Sequence, residues 1–143
     1  MPGKYFEQLE VDMVFEHLPH RTVTETDNFL FTAMTHNPQP LHIDVEFAKS
    51  SQHGQIIVNS FFTLGLVVGL SIGDTTLGTT IGNLGMERTE FPNPVLLVTR
   101  FARQPRLSKN VNQRPNQTVE LYGLNTLALI SEMKLCVNAC ARA

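Results

Sequence analysis

The stretch "NSFFTLGLVVGLSIGD", from Asn59 to Asp74, restricts the fold more than any other part of the chain. It is apolar nearly all round, and a helix of that kind has to be buried on every side. Its apolar run, Phe61 to Ile72, falls short of the roughly 20 residues a bilayer requires. Asn59 or Ser60 offers an N-cap, and Gly73 an end. Gly65 and Gly69 stand four apart on one face. Each costs a helix about 1 kcal/mol against alanine, which a close approach of another backbone would offset. The segments that follow are strand-like: "TTIGNLGMERTEF", "VLLVTRFA", "QTVELYGL" and "LALISEMKLCVNA", the last also compatible with helix. One buried helix followed by extended segments predicts an α+β fold, with an antiparallel sheet wrapped around that helix.

Upstream, Met13 to Glu16 and Arg21 to Thr24 read as extended pieces. Thr24 or Thr26 is an N-cap, with Glu25 and Asp27 at the positive end of a short helix, "DNFLFTAMTH", that Pro38 and Pro40 stop. Asp44 caps a second short helix, "VEFAKSSQ", and Gly54 closes that segment. The polar stretch "RLSKNVNQRPNQ" reads as a loop between two strands. There is no internal repeat and no linker, so the 143 residues are expected to form one domain, 1–143.

Charged residues make up 17% of the chain, below the usual quarter. A surface so poor in charge points to burial in an oligomer. The net charge of −2 argues against nucleic acid or a membrane surface as partner. The N-terminus is polar from the start and carries no signal peptide pattern. Cys136 and Cys140 have no further cysteine or nearby histidine for a zinc site; they read as reduced thiols, which implies a cytoplasmic protein. Between Phe91 and Val119 there is no acidic residue, while Arg100, Arg103, Arg106, Lys109 and Arg114 fall there, five of the eleven basic residues. This is either a solvated strand edge and loop or a patch for a polyanionic group, with Arg103 and Arg106 the candidates for phosphate contacts.

For chemistry, the glycine-rich "GDTTLGTTIGNLG" lacks a P-loop lysine and dinucleotide-fingerprint spacing. No serine sits in a nucleophile elbow. His42 and His53 form no helical metal pair, so no metal is expected. What stands out is "NPQPLHIDVEFA", where Pro38 and Pro40 brace the turn that presents His42. A histidine fixed before substrate arrives is what a pre-organised base requires. The helix N-terminus at Asn59–Ser60 could hold an oxyanion through its backbone N–H groups.

"PLHIDVEFA", "IVNSFFTLGLVVGL" and "FPNPV", in that order, resemble the MaoC-like hydratase family of the hotdog fold, relatives of the (R)-specific enoyl-CoA hydratases; the likeness runs from about Tyr5 to Val95. "NPQPLH" with "VNSFFTLGLVVGLSIGDTTLGTT" further resembles the branch that hydrates branched C5 dicarboxylic acyl-CoA esters, itaconyl-CoA first and mesaconyl-CoA next. The resemblance implies an acyl-CoA hydratase with no cofactor beyond the CoA of its substrate, working as a homodimer or higher even assembly with active sites at the dimer interface. It implies a dyad of an aspartate and, five residues on, a histidine, in the pattern Asp-x-Asn-Pro-x-His. His42 falls on the histidine, Asn37 on the aspartate and Gln39 on the asparagine. Asparagine can hold a water but cannot take its proton, so His42 is left as the base and Asn37 as the residue that positions water. A neutral Asn37 also spares a dicarboxylic substrate a carboxylate neighbour. Ser60 falls on the family glycine that opens the central helix, and its N–H is the implied donor to the thioester oxygen. Asn59 stands where histidine is common; with Gln39 it is a candidate substrate contact. After "FPNPV" the family's Gly-Asp pair is missing, and no family residue is carried onto 96–143. The alternatives are a fatty-acid-type (R)-specific enoyl-CoA hydratase, a hotdog thioesterase and a non-catalytic acyl-CoA-binding subunit.

Overall fold

The computed structural model describes residues 3–10, 13–15, 17–107, 121–124 and 133–139, and beyond Phe101 the description is of the backbone. Its helices are α1 (Glu25–Met34), α2 (Val45–Ser50) and α3 (Ser60–Thr75). Its strands are β1 (His17–Thr22), β2 (Thr80–Thr89), β3 (Arg100–Leu107), β4 (Leu121–Leu124) and β5 (Met133–Ala139). Two antiparallel ladders form, β1-β3-β4 and β2-β5. β4 lies beside β5 and α3 packs on β1. The result is the expected α+β arrangement, with one long helix against antiparallel strands. Of the segment that was also compatible with helix, the described part, Met133–Ala139, is strand.

The core gathers Leu9, Phe15, Val23, Val58, Val67, Val95 and Phe101. α3 joins it through an uncommon stripe: its buried residues are Thr63, Val67, Ser71 and Thr75, one turn apart. Three of the four are hydroxyl residues, and each bonds a carbonyl of its own helix: Thr63 to Asn59, Ser71 to Val68, Thr75 to Ser71. Small side chains satisfied in this way allow close packing with no buried polar atom left unpaired.

Burial on every side, as the sequence led us to expect, is not what α3 shows. Phe61 is 71% exposed and Ile72 40%, and Gly65 and Gly69 lie on the same open side. A Cβ added at Gly65 or Gly69 would meet nothing within 4 Å, so the expected close approach at these glycines is absent among the described residues. The tight glycine is Gly3. Its N–H donates to the Leu77 carbonyl at 2.8 Å, and a Cβ there would run into the Leu77 nitrogen and lie 2.6 Å from the Thr76 carbonyl carbon. Nor does Gly73 end α3. The helix runs on to Thr75, and the left-handed glycine is Gly78, φ +77°.

Caps behave as the side chains dictate. Thr24 and Asp27 form a reciprocal capping box on α1, and Asp44 accepts the N–H groups of Glu46 and Phe47 on α2. The prolines, however, do not stop α1. It ends earlier, where His36 turns left-handed (φ 52°). There Asn37 N–H donates to Thr32 O and His36 N–H to Ala33 O, both at 3.1 Å, a Schellman closure.

Two strand expectations shift. β1 begins at His17 and ends at Thr22, instead of covering Arg21 to Thr24; Pro19 is accommodated because the pairing with β3 is irregular between His17 and Arg21. "VLLVTRFA" is not one strand. Leu96 makes an isolated bridge to Ile57, Val98 turns at φ 66°, and β3 starts only at Arg100. The turn is held from outside: Val98 N–H donates to Val23 O and Val23 N–H to Thr99 O, each at 2.9 Å.

Candidate active site

The turn that carries His42 is built from local hydrogen bonds. Asn37 Oδ1 accepts the Gln39 N–H at 3.0 Å, an Asx turn. Gln39 O accepts the His42 N–H at 3.1 Å, and Pro40–His42 form one turn of 3-10 helix with Pro40 at its start. Proline suits that position because it has no N–H to leave unpaired. Pro40 O then accepts from Asp44 N–H at 2.9 Å, which leads directly into the cap of α2.

The imidazole of His42 is half-buried, and its Nδ1 lies 2.9 Å from the Ile57 carbonyl oxygen. A carbonyl can only accept, so Nδ1 carries the proton and Nε2 keeps its lone pair when the ring is neutral. Ile57 is itself held on two sides: its N–H donates to Leu41 O at 3.2 Å, and it bridges Leu96. Val58 N–H donates to Val95 O at 2.8 Å. The His42 turn, the approach to α3 and the "FPNPV" segment are thereby stitched together.

Asn59 caps α3 by accepting the Phe61 N–H at 3.0 Å. Ser60, the first residue of the helix, has no acceptor for its N–H among the described residues. Helix position one lacks an intrahelical partner, and the helix end carries partial positive charge. A cavity of about 280 Å³ opens here, lined by Ser60, Thr63, Ile57 and Val58, by Phe91 to Val95, and by His53. No Asp or Glu lines it.

The structure brings together only part of what the sequence singled out. Ser60 lines the cavity. Asn59 is buried as the cap that shapes the helix start, away from the cavity lining. His42 and Asn37 do not line it either; the connection runs through Ile57, which both lines the cavity and accepts from His42. Gln39 is exposed on the turn. Arg103 and Arg106 are in β3, three positions apart. Lys109 and Arg114 lie outside the described residues, as do Cys140 and most of the "RLSKNVNQRPNQ" loop. Among the described residues no group of three or more His, Cys, Asp or Glu could hold a metal, and no helix is long and apolar enough to cross a membrane.

Two residues were missed. His53, weighed from the sequence only as a metal partner, lines the cavity. Asn28 is fully buried in α1. Its Nδ2 donates to the His42 carbonyl at 2.8 Å, and its Oδ1 accepts the Asn59 N–H at 2.9 Å. Asn28 and Thr32, one turn apart, are the buried residues of α1, while Leu30 and Met34 are exposed. The one signal in the sequence is the poor helix propensity of an asparagine inside α1, which something must offset.

Away from the cavity, the Asp27 carboxylate is held below its usual range. The Thr24 backbone N–H that it accepts is the main cause, and the Thr24 hydroxyl and the Arg21 guanidinium, 2.7 Å away, add to it.

A family model described as "MaoC like domain" matches residues 6–119. Protein MaoC of Klebsiella aerogenes is 32% identical over 93 residues, which is 64% of this chain and 27% of that protein, so the chain spans roughly a quarter of this curated relative. Among solved structures, a monoamine oxidase regulatory protein from Archaeoglobus fulgius superposes with a TM-score of 0.79 at 23% identity, covering 99% of this chain and 98% of that one. An R-hydratase from Pseudomonas aeruginosa, in its unliganded form, gives 0.73 at 19%, covering 94% and 84%. These likenesses fix the fold as hotdog.

Proposed function

Because this chain belongs to the MaoC-like domain family, we propose that it is an acyl-CoA hydratase, a lyase that adds water across the double bond of an enoyl-CoA thioester. One observation carries the reading: His42, braced by Pro40, spends its Nδ1 proton on the carbonyl of Ile57, a residue that also lines the cavity at the start of α3. That leaves Nε2 with its lone pair, while the Ser60 N–H at the start of α3 has no acceptor among the described residues.

In the reaction, Nε2 of His42 takes a proton from water as the water oxygen bonds to the β-carbon. The π electrons move toward the thioester, and the charge that gathers on its oxygen is met by the Ser60 N–H. The proton on His42 then passes to the α-carbon, and the double bond has been replaced by hydroxyl and hydrogen. Asn37 orients the water. Its Oδ1 already accepts from Gln39, and an amide oxygen has a second lone pair as well as the two Nδ2 hydrogens to offer. CoA belongs to the substrate, and no cofactor takes part. Arg103 and Arg106, both on β3, are the residues we propose for the CoA phosphates.

For the acyl group we propose a branched C5 dicarboxylic chain, itaconyl-CoA or a relative. A neutral Asn37 in place of aspartate supports it, and so does the lining of the cavity, where His53 is the one titratable side chain and none is acidic. The same absence of a carboxylate counts against a thioesterase that uses an acidic base. The working form we propose is a cytoplasmic homodimer or higher even assembly, in keeping with a chain of which only 17% is charged.

Incubation with crotonyl-CoA and with itaconyl-CoA tests this. Loss of the conjugated absorbance supports hydration, release of free thiol would mean a thioesterase, and neither would leave a binding subunit. Asn37→Asp should raise activity on crotonyl-CoA relative to itaconyl-CoA; an unmoved ratio removes substrate charge from the argument.

A further inference from the structure

Asn28 is not among the residues that line the cavity, yet it holds both halves of the proposed machinery. Its side chain is fully buried. One end donates to the backbone carbonyl of His42, at 2.8 Å, and the other accepts the backbone N–H of Asn59, at 2.9 Å. Asn59 caps α3 and directly precedes Ser60. We propose that Asn28 is a positioning residue: one amide side chain sets the separation and angle between the general base and the oxyanion donor.

The chemistry of the side chain suits this role. A carboxamide has a donor and an acceptor at fixed separation in one plane. It can therefore bind a carbonyl with one end and an N–H with the other without a change of protonation. An alternative partner for either group would have to come from water, which a fully buried site excludes. Fixing the His42 carbonyl also fixes the backbone from which the imidazole reaches Ile57, so Asn28 maintains the Nδ1–H tautomer indirectly. The neighbouring contact, Asn59 Nδ2 to Thr32 Oγ1, is long at 3.5 Å and is not a substitute.

The proposal rests on the hydratase reading for its rate effect, but its geometry can be tested without it. In the full chain with 15N-labelled histidine, NMR should show neutral His42 with the proton on Nδ1 and a bare Nε2. Asn28→Ala should return the ring toward the tautomer mixture of free histidine. With crotonyl-CoA it should lower kcat by about 10²-fold, the scale of a small misplacement of reacting groups, while KM stays near the wild-type value. Asn28→Ser, which keeps a hydroxyl in the site, is the milder variant to read if alanine fails to fold; it should show the same changes in smaller measure. A wild-type His42 with its proton on Nε2 overturns the proposal. So does a variant with unchanged tautomer whose kcat falls only in proportion to its folded fraction. If wild type hydrates no thioester, the activity result counts against the function, and the tautomer result alone decides the role of Asn28.

Discussion

Replacing His42 with alanine should separate chemistry from folding. The side chain is half-buried and makes one hydrogen bond, from Nδ1 to Ile57 O at 2.9 Å. The backbone of the turn stays held by the carbonyls of Gln39 and Pro40 and by Asn28. The loss is then about one net hydrogen bond, ~1 kcal/mol. In a chain of this size that lowers Tm by about 3–4 °C. A domain stable by about 5–15 kcal/mol would remain more than about 99% folded at 25 °C. Removing the proposed general base, in contrast, should cost about 10²–10⁴ in rate, equal to about 3–5 kcal/mol in the barrier. Thermal melts and the decay of enoyl-thioester absorbance, measured on one preparation, compare the two. Turnover within threefold of wild type would refute the assignment of His42 as base. A collapse of Tm would refute the claim that the turn is held by its backbone.

Gly3→Ala should cost about 1–3 kcal/mol, because its new Cβ must displace the backbone of Thr76 and Leu77; an unchanged melting midpoint would contradict that contact. Gly69→Ala should stabilise by about 1 kcal/mol, since the added methyl meets nothing within 4 Å and alanine is the better helix former; a drop in Tm would show that this side of α3 is covered. Asp27 should govern part of the acid limb. Its folded pKa lies below the ordinary 3.8, so its contribution is fully present above that value and is lost as pH falls through the folded value. Asp27→Asn should therefore flatten stability against pH below about pH 4, and an identical acid limb in both proteins would remove the capping box as its cause.

The helices and their starts were legible because each cap is a local contract: Thr24 with Asp27, Asp44 with Phe47 and Asn59 with Phe61 lie within three residues of each other. The hotdog arrangement was legible for a related reason, a single long apolar helix among strand-like segments. Misreadings gathered where a distant partner decided the local conformation. Val95 to Thr99 has the β-branched, apolar look of a strand, but Val23 draws the chain into a turn at Val98. The open side of α3 was invisible because hydrophobicity alone does not tell a face in contact from one left bare; Thr63, Ser71 and Thr75, polar by composition, turned out to be the buried ones. In the candidate site, His42 and Ser60 stood out in the sequence through the motifs around them. Asn28 could not, since its partners are 14 and 31 residues away.

That last span has a kinetic meaning. Asn28 and Asn59 close a segment of 31 residues that contains the end of α1, the His42 turn and α2. Closing such a segment carries an entropic cost that grows only slowly with length, and once it is closed the elements inside have few independent ways to come loose. Amide protons between Thr32 and Val58 should accordingly exchange with solvent deuterium as one cooperative unit, with a shared opening energy. The local clock of this protein would then be the breaking of a single buried carboxamide contact, and any ligand that seats against Ser60 would slow the exchange of the whole segment, including amides it never touches.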